Sequence, residues 1–419
     1  MHVVNTVILG GGRGSRLWPL TAKRAKPAVP FGGKFRLIDI PISNSLHAGV
    51  SRIYVLTQYA SATLHRHIGE TYRFDHFSDG AVDILAAEES IDSREWFEGT
   101  ADAVRRNMDY IMDRRPDEIL ILSGDQLYLM NVRSMIRLHR ENKADFTIAV
   151  KAVPRDQAKA LGIMRVDRSG RIVAFVEKPQ DDAVLDEFAL DADTIATLGF
   201  EVPPGHLLAS MGIYLFRSGV LTELLDRPGV DFGREIIPGA IGDMRVCAFP
   251  YAGYWEDIGT IGAFHSASLA MTAPLPPLDL YSRDRPIYTN PRFLPGTKIN
   301  RCEVKHSILC EGSIISNSTI ERSIIGIRAI VRGGAKITDT VVMGARFYER
   351  RDTKADVPQG IGPNCEIRNA IIDLDACIGE GARLVNEDGV QEAEGDGWCI
   401  RDGVIVVPRE AVIAPGTVV

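Results

Sequence analysis

From residue 308 to the end, large aliphatic residues recur at every sixth position. They are Ile308, Ile314 and Ile320; Ile325, Val331 and Ile337; Ile372, Ile378, Leu384 and Val390; and Val406, Val412 and Val418. An α-helix repeats about every 3.6 residues and a half-buried strand about every 2, so this period suits neither. It suits a parallel β-helix, in which each short side of the coil contributes one inward aliphatic residue per hexad. A β-sandwich of short strands is the competing reading. The stretch RFYERRDTKADVPQG, 346–360, breaks the repeat and reads as a loop.

The first half follows another rule. RIYVLT (52–57), EILILSGD (118–125), DFTIAVKAV (145–153), RIVAFVEKP (171–179) and MGIYLF (211–216) read as strands. TADAVRRNMDYIMDRR (100–115) and VRSMIRLHREN (132–142) read as amphipathic helices. The alternation implies an α/β domain with a largely parallel sheet, whose ligands bind at the carboxyl ends of its strands. Between the two patterns lies PLPPLDLYSRDRPIYTNPRFLP, too rich in proline to continue a helix or a central strand. The expected organisation is a catalytic domain over 1–273, a linker over 274–295 and a β-helix over 296–419.

At 419 residues with 45% hydrophobic and 25% charged residues, the chain has the composition of an ordinary globular protein. A net charge of -7 argues against a general nucleic-acid binder. No apolar run spans a membrane, and MHVVNTVILGGG has neither the charged start nor the cleavage site of a signal peptide, so cytoplasm is expected. The six cysteines form no CxxC pair, which disfavours a zinc or redox motif and favours buried reduced thiols.

The acidic total conceals a basic site. Arg13, Arg16, Lys23, Arg24, Lys26, Lys34 and Arg36 all precede the first acid, Asp39. The first two of them sit in ILGGGRGSRL, directly after the apolar run Val3 to Leu9. The motif is no GxGxxG, since Leu17 occupies the place of the third glycine, and no GK[ST] closes it as a Walker A loop. What remains is a loop whose backbone N–H groups can approach an anion. The arginine forks match phosphate oxygens, and Lys23 and Lys26 add mobile charges. A solvated basic surface loop is the plainer alternative.

Three further places carry candidate chemistry. Asp125 ends a buried strand in LSGDQLY, and Asp257 follows Trp255 in GYWEDIGT. Two such carboxylates could share a Mg2+ together with substrate phosphates, although either alone suits a turn or cap. In FVEKP, Lys178 could contact a sugar phosphate while Glu177 accepts sugar hydroxyls; an exposed charge pair on a strand edge is the alternative.

GGGRGSRLWPLTAKRAKPAVPFGGKFRLIDIPISN resembles the signature of sugar-1-phosphate nucleotidyltransferases. KRAKPAVPFGGKFRLID is similar in particular to the glucose-1-phosphate adenylyltransferase family. VLTQY, WFEGTADAV, SGDQLY, FVEKP, ASMGIYLF, DFGREIIPGAI, YWEDIGT and RPIYTNPRFLP resemble that family in order, so the likeness covers nearly the whole chain. It implies a Rossmann-like nucleotidyltransferase domain followed by a left-handed parallel β-helix. It also implies transfer of AMP from ATP to glucose 1-phosphate, giving ADP-glucose and pyrophosphate, for glycogen or starch-type glucan synthesis.

By the same resemblance Arg13, Lys26, Asp125 and Asp257 are catalytic, with Asp125 and Asp257 holding Mg2+. Gly10, Gly11, Gly12, Gly14, Arg16, Gln58 and Gly124 bind the nucleotide. Trp96, Gly162, Glu177, Lys178, Ser210, Asp231, Phe232 and Trp255 serve the sugar phosphate, and Gln58 and Trp96 couple regulation to the active site. Relatives are homotetramers controlled by metabolites of central carbon metabolism. Lys23, Arg24, Arg36 and Arg409 match the positions that bind a phosphorylated effector between the basic segment and the β-helix.

The C-terminal stretch resembles the branch from photosynthetic organisms, which carries a lysine in place of Glu387 and an arginine near Glu394. Two acids there would repel 3-phosphoglycerate, which implies a different effector or weak activation. The start at the catalytic strand, without a transit extension, favours a bacterial source. Rival readings are a UDP-, dTDP- or GDP-sugar pyrophosphorylase, a non-catalytic regulatory subunit, and a hexapeptide acyltransferase. The last needs a catalytic histidine in the repeat, where only His306 lies. Arg13, Asp125, Lys178 and Asp257 are all present, against the second.

Overall fold

A computed structural model describes residues 2–87, 96–191, 194–195, 199, 202–203, 205–348 and 357–419. Of the break in the repeat at 346–360, residues 349–356 lie outside the described residues.

The strands of the first part are β1 (Val4–Leu9), β2 (Pro30–Phe31), β3 (Phe35–Arg36), β4 (Arg52–Thr57), β5 (Ala81–Ala86), β6 (Glu118–Ser123) and β7 (Gln126–Tyr128). They continue with β8 (Phe146–Val153), β9 (Gly162–Val166), β10 (Ile172–Glu177), β11 (Leu207–Arg217), β12 (Val246–Pro250) and β13 (Trp255–Asp257). One sheet has the order β10-β9-β11-β6-β1-β4-β5, with β8 joining β11 to β12. β1 is parallel to β4 and β6, and β4 to β5, whereas β11 runs antiparallel to β6, β8 and β9. Strand direction therefore reverses only at β11 and at the edge strand β10. The central strands are buried along nearly their whole length and mostly aliphatic, as strands covered on both faces are.

Two expectations change. The helix expected over 100–115 is two helices, Thr100–Arg105 and Met108–Met112. Between them Asn107 donates from Nδ2 to Ala103 O at 2.8 Å, a local bond that competes with helix continuation. MGIYLF is the end of an eleven-residue strand, β11, that begins at Leu207. Among the described residues no helix is long and apolar enough to cross a membrane.

Beyond Lys298 the chain winds as a parallel coil, interrupted by the antiparallel strands Ala393–Gly395 and Trp398–Arg401. Ile314–Ile315 stacks on Ile330–Val331, Ile320 on Ile337, and Ile371–Ile372 on Val341–Val342 and Val406–Val407. The hexad pattern finds the coil but not its phase everywhere. Ile320, Ile325, Val331, Ile337, Ile372, Ile378 and Leu384 point inward, but Ile314, Val390, Val412 and Val418 are exposed and Ile315 and Ile413 are buried. Corners taken by left-handed residues such as Asn317, Arg322, Asp339 and Asn369 consume residues unevenly, so the inward series steps by five as well as six. Val406 is buried on the other side, in the cluster shared with the first part of the chain.

That shared cluster joins Ile324, Val341, Met343, Ile371 and Val404 to Leu17, Leu20, Phe264 and Ala267. The proline-rich stretch has no regular element and lies along this junction. His47 Nε2 meets Pro286 O at 2.8 Å, and Ser43 Oγ accepts from Tyr288 N at 2.9 Å.

Candidate active site

The turns after β1 and β6 lie side by side, with Leu9 opposite Ser123. A Cβ on Gly10 would sit 3.2 Å from Leu56 O and from Pro27 Cγ, and one on Gly124 would sit 3.1 Å from Leu9 O and from Pro27 Cγ. A side chain at either turn would crowd this wedge. Pro27 thereby fixes its neighbour Lys26, whose Nζ lies 2.6 Å from Asp125 Oδ2. Gly14 is in the left-handed region with φ 64°, and its carbonyl accepts from Thr21 Oγ1 at 2.9 Å, closing the glycine loop back on itself.

These turns open into a cavity of about 500 Å³. Gly11, Gly12, Gln58, Asp125, Trp255 and Asp257 line one part of it, and Gly162, Glu177, Lys178, Ser210, Asp231 and Phe232 line another. The short antiparallel ribbon of β7 and β13 sets Asp257 opposite Gln126, which places it beside Asp125. Ser123 donates a short hydrogen bond to Asp125 Oδ1. The Asp257 carboxyl is held above the ordinary carboxylate range, first by burial and then by the Asp125 charge, against the pull of Lys26, Arg16 and Lys178.

Two hard oxygen donors that repel each other in a buried cavity fit a divalent cation that takes few carboxylates plus phosphate oxygens. Among the described residues no three His, Cys, Asp or Glu side chains gather as a metal-binding group, so this pair is the donor set on offer.

At the end of β10, Lys178 is left-handed with φ 49°, uncommon for a lysine, and its N donates to Leu161 O at 3.0 Å. The bend carries its half-exposed Nζ to 3.5 Å from Glu177 Oε1. Glu177 lies over two glycines, since a Cβ would come to 2.6 Å of its Oε2 from Gly162 and 3.1 Å from Gly233. Asp231 caps the π-helical turn Phe232–Ile236: Oδ1 accepts from Gly233 N at 3.0 Å and Arg234 N at 3.1 Å, and Oδ2 accepts from Thr100 Oγ1 at 3.1 Å. Phe232 shapes the wall from within the core, its ring centroid 5.8 Å from those of Tyr214 and Phe216.

Arg13, Arg16 and Trp96 do not line the cavity. Arg13 donates from Nε to Tyr59 Oη at 3.2 Å, and Tyr59 stacks on Trp96 with centroids 4.6 Å apart. Gln58 Oε1, accepting from Phe97 N at 2.8 Å, ties this stack to the cavity wall. Arg16 lies beside Gly259, two residues past Asp257.

A second cavity, of about 380 Å³, lies between the basic N-terminal segment and the β-helix. Arg24, Lys34, Arg36, Arg66, Arg292, Arg328, Arg346 and Arg409 line it, with Glu70 as the one carboxylate among its described lining residues. Burial lowers Arg36 to about 10, with the Arg24 charge next, and burial and Arg346 lower Arg409. Arg36 Nε and Arg409 Nε are buried without a hydrogen-bond partner among the described residues.

Of the four residues matched to effector binding, Lys23 stays outside, 2.9 Å from Glu410 Oε2. Arg24 is already ion-paired with buried Asp373. Glu387 pairs with Arg383 and Glu394 with Arg401, and neither lines the cavity, so the repulsion expected from them has no counterpart in its wall.

Sequence reasoning missed Arg66, Arg328 and Arg346, which stand on separate segments with no shared motif. It also missed Gln126, although that residue directly follows Asp125 in SGDQLY and opens β7.

Residues 5–273 match the family described as Nucleotidyl transferase, and residues 292–418 match the GLGC left-handed parallel beta-helix domain. The first match alone spans more than half of the chain and contains the whole carboxylate cavity, and the second supplies the hand of the coil. The chain belongs to the nucleotidyl transferase family, and its pair of domains fits the sugar-1-phosphate nucleotidyltransferases that include the ADP-glucose pyrophosphorylases.

Proposed function

We propose that the chain transfers AMP from ATP to glucose 1-phosphate, releasing ADP-glucose and pyrophosphate for glycogen or starch-type glucan synthesis. The observation that carries this reading is one cavity in which a glycine turn, two adjacent carboxylates and the Glu177–Lys178 pair face each other. A phosphate oxygen of the sugar phosphate attacks the α-phosphorus of ATP, and the bond to the β-phosphate oxygen breaks. The nucleophile is already ionised, so no general base is needed and catalysis is positioning and charge neutralisation.

In this reading the amides of the glycine turn, Arg13, Arg16 and Lys26 receive the triphosphate. Gln58 and Gly124 flank the nucleotide, and Trp96 joins regulation to it through Tyr59. Lys178 holds the phosphate of the sugar, while Glu177, Ser210 and Asp231 take its hydroxyls between Gly162, Phe232 and Trp255. Asp125 and Asp257 would hold a Mg2+, which when bound supplies positive charge to the phosphate oxygens.

The cationic cavity takes a phosphorylated metabolite, since eight cations line it, Glu70 is the one carboxylate among its described lining residues, and Arg36 Nε and Arg409 Nε make no hydrogen bond there. The domain boundaries near 273 and 296, a cytoplasmic site of action and a homotetramer assembled through the coil are parts of the same proposal.

The test is pyrophosphate release with glucose 1-phosphate and ATP, UTP, dTTP or GTP in turn. Preference for ATP is expected, and a clear preference for another nucleotide would overturn the assignment. Titration with 3-phosphoglycerate, fructose 1,6-bisphosphate and fructose 6-phosphate then identifies the effector. Indifference to all phosphorylated metabolites removes that part of the reading.

A further inference from the structure

We infer that Gln126 reads a hydroxyl group of the sugar, an inference that rests on the sugar-phosphate reading of the cavity. Gln126 opens β7 directly after Asp125 and stands opposite Asp257 on β13. Directly opposed residues of an antiparallel pair share a face, so Gln126 and Asp257 present their side chains on one side of the ribbon. Both line the cavity.

Gln126 is only 6% exposed, yet its Oε1 has no hydrogen-bond partner among the described residues. Leaving a buried acceptor unpaired costs stability, and such an atom at a cavity wall calls for a donor from the ligand.

The other end of the amide looks at a bulge. The register of β11 against β8 shifts between Ser210 and Tyr214, and Gly212 within it is left-handed with φ 68°. Gly212 N donates to Ser210 Oγ at 3.1 Å, and a Cβ on Gly212 would sit 3.6 Å from Gln126 Nε2. A bulge beside a site re-aims its side chains, here bringing Ser210 and the Gln126 amide to one patch of wall. A side chain at Gly212 would touch the amide and would be strained by the left-handed backbone.

The chemistry selects the ligand group. A phosphate oxygen only accepts, so it gives nothing to an unpaired acceptor. A hydroxyl both donates and accepts and satisfies the two ends of an amide. A site built around such a bond rejects the analogue that lacks the hydroxyl, because its own buried polar atom is then left unpaired. Gly212 adjoins both the Gln126 amide and Ser210, a sugar-side group, which puts the hydroxyl on the sugar phosphate and not on the ribose.

The experiment compares wild type with Gln126→Leu on glucose 1-phosphate and its 2-, 3-, 4- and 6-deoxy analogues, with ATP and Mg2+ titrated separately. In wild type one deoxy analogue is expected to lose about 10²-fold or more in kcat/KM relative to glucose 1-phosphate. In Gln126→Leu that preference collapses to roughly threefold or less, while the KM for ATP and the half-activating Mg2+ stay within about twofold. Unchanged discrimination in the variant overturns the inference. So does a moved Mg2+ requirement with the deoxy pattern intact, which would make the amide a support of Asp125 and Asp257.

If Gln126→Leu does not fold, Gln126→Asn shortens the reach and decides by the same two outcomes. Failure of the underlying reading looks different: wild type itself then releases no pyrophosphate from any nucleotide with glucose 1-phosphate.

Discussion

Two cavities in this chain are suited to phosphate, and they are built from opposite charge balances. The one at the ends of β1 and β6 is lined by Glu98, Asp125, Glu177, Asp231 and Asp257, with Lys178 as the one cation among its described lining residues, while Lys26 and Arg16 act on Asp257 from just outside it. The one against the β-helix gathers eight lysine or arginine side chains and a single glutamate among its described lining residues. A site that only binds an anion has no use for carboxylates, which would repel the ligand. A site that must stabilise charge moving between two polyanions gains from carboxylates that can hold a metal there. On the proposed function, carboxylates mark the place of chemistry, and uniform positive charge the place of binding.

The largest effect expected from this contrast is at Asp125. Asp125→Asn keeps shape and removes a carboxylate charge proposed to hold the metal, so turnover should fall by roughly 10²- to 10³-fold or more while the far-UV spectrum is unchanged. Steady-state pyrophosphate release measures it. Wild-type-like turnover would break the comparison by making the carboxylate cavity a mere binding site.

How the two cavities could be read from sequence differs as well. The carboxylate cavity was legible because its residues sit in short local motifs at strand ends, such as GGGRGSRL, SGDQLY, FVEKP and YWEDIGT. What those motifs hid is pairing. Gln126 and Asp257 oppose each other through strands of three residues each, too short for a periodic signal. Gly10 and Gly124 read as phosphate-loop residues, yet their lack of a Cβ also admits Pro27.

The cationic cavity was legible only on its N-terminal side and at Arg409. Arg66, Arg292, Arg328 and Arg346 come from a helix, the proline-rich stretch and two coil corners, and only the docking of the coil brings them together. The coil itself was legible as a repeat because every turn buries an aliphatic residue. Its phase slipped at Ile314 and Val412 because corner residues are not counted by a strict period of six.

An intermediate effect is expected at Arg409. Its Nε is buried without a hydrogen bond, with only Glu410 Oε1 at 3.5 Å, and charged hydrogen bonds are worth about 1.5–3 kcal/mol. Arg409→Ala should raise the half-activating concentration of the phosphorylated effector by roughly 10- to 100-fold, on the same scale. Effector-free turnover should fall far less than in Asp125→Asn. Effector titration of the purified variant reads both, and a loss of turnover as deep as that of Asp125→Asn would erase the distinction between the cavities.

The smallest effect concerns the acid just outside the cationic cavity. Glu410 accepts from Lys23 Nζ at 2.9 Å, forms an ion pair with Arg346, and lies 3.5 Å from Arg409 Nε. It thus occupies two of the cations that line the cavity and one that belongs to the segment leading to Lys26. An anion entering the cavity competes with Glu410 for Arg346 and Arg409, and whatever it wins leaves more of the Glu410 charge to Lys23. Partly exposed ion pairs of this kind are worth about 1 kcal/mol or less, because solvent screens them. Glu410→Gln should therefore lower the half-activating effector concentration by only about two- to fivefold. Added salt should shrink that difference, since the competition it removes is between charges. The opposite result, weaker effector binding in Glu410→Gln, would mean that Glu410 orients the two arginines for the ligand. The cationic cavity would then need an acid after all, and the rule that uniform charge marks binding would fail where it was drawn.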